Sequence, residues 1–195
     1  MTTIVAAVDD EGRVHLAADT LTNVYERPIV AGARKLIRVG FRDGTGGDAV
    51  IGCVGDGALP HVMRAQLHIP VGPGGDPAAV QDWAHQVASD ATALATAAGL
   101  MQDGRVAGTL LLAAAGRLWT MIHGAALLHP DGRAALGSGE GPAIGALDAL
   151  IDLGLHPGEA VVRACAHGIH RDKHSGAPIQ AEIVEPITAA ADQPG

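Results

Sequence analysis

The chain has 195 residues, 48% of them apolar and 17% charged, and its 13 basic against 21 acidic side chains give a formal charge of −8. That suits one domain with a sizeable core and argues against general binding to nucleic acid or anionic membranes, both of which need clustered Lys and Arg. No apolar run is long enough to span a bilayer, the start lacks a secretory signal's basic and apolar regions, and two cysteines make no disulfide scaffold, so a reducing cytoplasm is expected.

Residues 3–8 (TIVAAV) read as a strand and Asp9-Asp10-Glu11-Gly12 as turn chemistry. Residues 13–19 follow with Val14, Leu16 and Ala18 alternating against other neighbours, which predicts a hairpin beginning at the second residue. Termini normally fray unless a sheet holds them, so that position is unusual. Residues 36–39 and 49–54 predict a second strand pair around the Gly-rich loop 41–47. A short helix is expected over 58–67, and the Pro- and Gly-rich stretch 69–77 must be a loop. In 77–98, Val80, Trp83, Ala84, Val87, Ala91, Leu94 and Ala98 recur at helical steps, with Pro77 suited to the first turn and Gly99 to the end. Strands are expected over 109–115, 117–122, 125–128 and 133–136, the last two flanking Pro130-Asp131-Gly132. Helices over 142–153 and 157–171, a strand over 178–184 and a mobile tail over 186–195 complete the reading.

Strands, two helices, strands, two helices and a strand imply segregated layers. The expected class is α+β, two antiparallel sheets between helical layers, in one domain over 1–185.

Thr2 follows the initiator Met and is small enough for ordinary Met removal. An N-terminal threonine carries its nucleophile and its base on one residue: the hydroxyl attacks an amide carbonyl and the α-amine takes the proton. A free α-amine titrates at about 7.7–8.0, near the optimum for a general base.

Thr2-Thr3-Ile4-Val5 resembles the start of proteasome β subunits and their bacterial homologue HslV. The resemblance continues through Asp19, Arg34-Lys35-Leu36, Ile51-Gly52-Cys53-Val54-Gly55-Asp56, Gly137-Ser138-Gly139 and Arg171-Asp172-Lys173-His174-Ser175-Gly176, in family order, over residues 2 to about 184. It implies an αββα sandwich and the activity of a threonine peptidase. Lys35 would lie beside the Thr2 hydroxyl and amine, where its charge favours the neutral amine. Asp19 would pair with Lys35, and Gly52 would offer its N–H to the oxyanion. Ser138, Asp172 and Ser175 would form a hydrogen-bonded shell around the amine. Carrying over the family's S1 positions suggests Ala33, Ile37, Val50 and Val54 as an apolar lining and hydrophobic P1 residues. The resemblance also implies a closed homo-oligomeric ring, fed polypeptide by an ATP-dependent unfoldase, and no cofactor. The direct start at Met1-Thr2 is HslV-like, whereas the Arg171 to Gly176 block is closer to the 20S proteasome, so ring symmetry stays open.

Other readings compete. A small-molecule amidase of the N-terminal nucleophile class or a silent structural subunit would keep the fold. Gly139-Glu140-Gly141-Pro142 lacks Rossmann spacing and the P-loop Lys. His167, His170 and His174 could line one helical face, but without His-Glu-x-x-His they read as solvent-facing. Cys53 and Cys165 read as small core residues.

Overall fold

The computed structural model describes residues 2–24, 27–41, 49–72 and 76–186. The expected loop after Phe41 and the expected tail beyond Pro186 lie outside the described residues.

Strand β1 (Thr3–Val8) pairs antiparallel with β2 (Val14–Asp19), Ile4 opposite Ala18. Asp9 builds the turn: its Oδ1 accepts from the N–H groups of Glu11 at 3.0 Å and Arg13 at 2.9 Å. β12 (Arg133–Gly137) and β13 (Ile179–Val184) flank this hairpin, giving the sheet order β12-β1-β2-β13. The second sheet runs β11 (Ala125–Leu128), β10 (Arg117–Ile122), β9 (Gly108–Ala114), β6 (Ala49–Gly55), β5 (Leu36–Val39). All pairings within these two sheets are antiparallel.

Helices α1 (Leu59–Gln66) and α2 (Pro77–Ala97) cover the second sheet, and α3 (Glu140–Asp152) and α4 (Pro157–Arg171) cover the first. Three apolar clusters fill the gaps. Ile4, Leu16, Leu36, Val50, Leu111 and Leu118 lie between the sheets. Val5, Ala7, Ala17, Leu147, Ala160 and Ala164 lie between the first sheet and α3–α4. Ile51, Leu112, Met63, Val87 and the two tryptophans lie between the second sheet and α1–α2. Both faces of β1 are therefore buried, which is why it reads as a continuous apolar run. Each fully buried Leu contributes about 1.5–3 kcal/mol. Trp119 meets Trp83 edge to face at 6.3 Å, and its Nε1 donates to Gln81 Oε1 at 3.0 Å.

This is the expected four-layer αββα sandwich. Two hairpins depart from the reading of the sequence. β3 (Leu21–Val24) pairs with β4 (Arg27–Ala31), and β7 (Met101–Gln102) with β8 (Arg105–Val106). The first contains Pro28 and no clean alternation, and the strands of the second are two residues long around Asp103-Gly104, both at positive φ. No helix among the described residues is long and apolar enough to cross a membrane.

Candidate active site

The open end of the β1–β2 hairpin brings Thr2, Thr3 and Asp19 together. The Thr3 N–H donates to Asp19 Oδ1 at 2.9 Å. Lys35 Nζ donates to the same oxygen at 2.8 Å. Asp19 Oδ2 accepts from the N–H groups of Leu21 and Gly176, each at 3.1 Å. One carboxylate, with no exposed surface, thus ties four segments and has four donors. A buried carboxylate needs that satisfaction to be tolerated.

Lys35 is 5% exposed and Thr2 3%. Burial drives the Lys35 ammonium below its ordinary pKa, and Asp19 pulls in the opposite direction without cancelling the shift. The lysine main chain is held as well. Its carbonyl accepts from the Cys53 N–H at 2.9 Å, and its N–H donates to Gln180 Oε1 at 3.1 Å.

Glycines make room for the start of β1. Thr3 lies opposite Gly137 in the register with β12. At φ +102°, a Cβ on Gly137 would collide with the Thr2 carbonyl oxygen, and one on Gly139 with Thr3 Oγ1. The Gly137-Ser138-Gly139 motif is therefore a close approach of two backbones.

Asp172 ends α4 and orders a chain of hydroxyls. Ser138 Oγ and Ser175 Oγ both donate to Asp172 Oδ2, the second at 2.6 Å. Since the Ser175 proton goes to the carboxylate, the Thr3 hydroxyl is the donor in its 2.8 Å bond to Ser175 Oγ. Ser138 Oγ also lies 3.5 Å from the Thr2 carbonyl oxygen. Burial raises the Asp172 pKa, but the hydrogen bonds from Ser138, Ser175 and the His174 N–H outweigh it and hold the group below its ordinary value.

Thr2 and Lys35 border one cavity of about 220 Å³, which Leu21, Cys53, Asp56, Pro60 and His61 also line. Of the residues expected to line an apolar subsite, Ala33 borders this cavity. Of the other three, Ile37 packs towards α1–α2, Val50 is fully buried between the sheets, and Val54 packs against that same interior. Gly52 lies opposite Leu36, and a Cβ there would meet Ile4 Cδ1 at 3.1 Å, so glycine lets β6 pass close beneath β1. Thr3 and Gln180 escaped the sequence reading. A second polar residue at 3 in an apolar strand was the available signal for the first; nothing local marks the second.

Burial pushes both cysteine thiols up to about 12, so neither is a thiolate at neutral pH. Among the described residues, only Asp9, His15 and His156 gather donor atoms closely enough for a metal ion. His15 Nε2 and Arg13 Nε each lie 2.8 Å from the one oxygen Asp9 Oδ2, so the carboxylate already has a guanidinium as its cation. His167 and His170 are exposed and His174 half-buried, and they form no such group.

The layer order and strand connections are those of the fold seen in HslV and proteasome β subunits. Solved structures share it. HslV from Trypanosoma brucei is 24% identical with a TM-score of 0.69, over 94% of this chain and 99% of that one. Thiobacillus denitrificans BPH in complex with epoxomicin is 21% identical with a TM-score of 0.75, over 94% and 98%. A further structure of BPH, at 22% and 0.70, covers the same shares. No protein-family model and no curated protein matches the chain.

Proposed function

We propose that the chain is a threonine endopeptidase that cleaves unfolded polypeptides inside a ring of its own copies, with Thr2 as the terminal residue once Met1 is removed. The observation that carries this reading is the shared cavity: Thr2 and the buried Lys35 both line it, and Asp19 accepts a hydrogen bond from the lysine ammonium.

In the proposed reaction, Thr2 Oγ attacks the scissile carbonyl carbon and its proton passes to the Thr2 α-amine. Lys35 keeps that amine neutral and stabilises the developing alkoxide. The oxyanion is assigned to the Gly52 N–H. The tetrahedral species collapses, the proton goes to the leaving amine, and an ester to Thr2 remains. Water, deprotonated by the same α-amine, hydrolyses the ester. Ser138, Asp172 and Ser175 orient the amine through the ordered hydroxyl chain. The apolar share of the cavity wall, Ala33, Leu21 and Pro60, supports hydrophobic P1 residues. The compartment proposed is the cytoplasm, with an ATP-dependent unfoldase as feeder.

Intact mass, peptide hydrolysis and epoxomicin adduct formation, each compared with Thr2→Ala, test the reading. The expected result is loss of Met1, cleavage of peptides with apolar P1 residues, and an adduct that the variant lacks. Hydrolysis that survives Thr2→Ala would sink it. Cleavage of small amides alone would favour an amidase, and a particle mass near one chain would remove the ring.

A further inference from the structure

Among the described residues, β5 is an edge strand of the second sheet and β13 an edge strand of the first, and neither has a strand partner there on its outer side. An unpaired edge leaves main-chain donors and acceptors to be satisfied. At the residue after Lys35 a side chain does this. Gln180 Oε1 accepts from the Leu36 N–H at 3.2 Å, and its Nε2 donates to the Leu36 carbonyl at 2.7 Å. The same Oε1 accepts from the Lys35 N–H at 3.1 Å. One amide thereby makes the two bonds that a neighbouring strand would make to Leu36, and a third to Lys35.

The bonds span 144 and 145 residues and cross between the sheets at the lysine that meets the cavity. Farther along the same edges there is one more stitch: Arg38 Nη2 donates to the Ile183 carbonyl at 2.7 Å, and Arg38 Nε lies 3.1 Å from Glu182 Oε2. Arg38 is half exposed and three residues from Lys35. The two stitches share strands but differ in what they hold.

We propose that Gln180 is a positioning residue for Lys35: its amide replaces the missing strand and sets where the ammonium sits relative to Thr2. The inference rests on the peptidase reading above. If Lys35 is released, its charge moves away from the Thr2 amine, the amine holds its proton more tightly, and fewer molecules are active at a given pH. Misplacement on the scale of 1 Å costs up to about 100-fold in rate.

The test measures kcat, KM, the pH profile of kcat/KM and the melting temperature of the assembled protein for wild type, Gln180→Leu, Arg38→Ala and Thr2→Ala. Gln180→Asn, which keeps the amide but falls one carbon short, serves if the leucine variant fails to assemble. The expected result for the Gln180 variant is a kcat about 10- to 100-fold lower with KM little changed, and an acidic limb moved to higher pH. Arg38→Ala is expected to melt lower with its limb unmoved. A Gln180 variant whose limb stays in place, or whose loss of activity only matches that of Arg38→Ala at equal melting temperature, overturns the inference alone. Wild-type hydrolysis that Thr2→Ala does not abolish overturns the peptidase reading, and the inference with it.

Discussion

Asp9 closes the turn of the β1–β2 hairpin and Asp19 sits at its open end, and both carboxylates are almost wholly shielded from water. Asp9 takes its cation, Arg13, from the same hairpin, together with His15 and two N–H groups of the turn, and His156 Nε2 lies 3.9 Å from the same carboxylate. Asp19 draws its donors from β1, the start of β3, the segment before β5 and the loop before β13. The first cluster is largely local, and its arginine lines a cavity with Asp131 and His156. The second is assembled from distant segments, and its lysine lines a cavity with Thr2. A buried ion pair by itself therefore says little about chemistry; what matters is which groups share the cavity that its cation lines.

The largest effect expected of any substitution is Thr2→Ala, with peptide cleavage lower by about 10³-fold or more and an unchanged fold by circular dichroism. Asp9→Asn should leave that cleavage intact, and a comparable loss in both would erase the contrast. Next in size is Lys35→Met. It strands a buried carboxylate that keeps its three main-chain donors, so a loss of about 3 kcal/mol in urea unfolding is expected. A change below 1 kcal/mol would mean that Asp19 does not need its cation.

Asp9→Asn should cost about 1–2 kcal/mol, because it removes charge-assisted bonds to Arg13 and His15. Burial raises the Asp9 pKa, but the bonds from His15, Arg13 and the turn outweigh it and hold it well below the ordinary 3.8. A depressed carboxyl stabilises the fold above its unfolded value, and that contribution is lost as pH falls through the folded one. The difference between wild type and Asp9→Asn should accordingly be full at neutral pH and shrink below pH 3.8. A difference that grows in acid would contradict the sign. The smallest effect is expected of His156→Ala. Its Nδ1 accepts from the Gly158 N–H at 3.1 Å and caps α4, so about 0.5–1 kcal/mol should go, with cleavage unaltered.

Much of the architecture was legible because it is local. The helical steps from Val80 to Leu94 and the turn at Asp9 to Gly12 mark their elements directly, and α2 begins at Pro77 as the first-turn proline requires. Thr2, Asp19, Lys35, Ser138, Asp172 and Ser175 were singled out by the order of motifs along the chain, and the structure joins Asp19 to Lys35 and both serines to Asp172. What could not be read is what depends on contacts between sheets. Gln180 sits in an ordinary strand pattern, and only the docking of β13 beside β5 gives its amide a role. The packing of the apolar positions on β6 was hidden for a related reason. Alternation puts Val50, Gly52 and Val54 on one side of β6, but the depth at which that side closes over is set by Ile4 and Leu111 from other strands.

The partners of Asp19 and Lys35 have a temporal consequence. Ser175, Gly176 and Gln180 are made well after Thr3, Asp19 and Lys35, to which they bond. A nascent or truncated polypeptide ending before residue 175 lacks these three partners, so the bonds around Asp19 and Lys35 are completed only once residue 180 has left the ribosome.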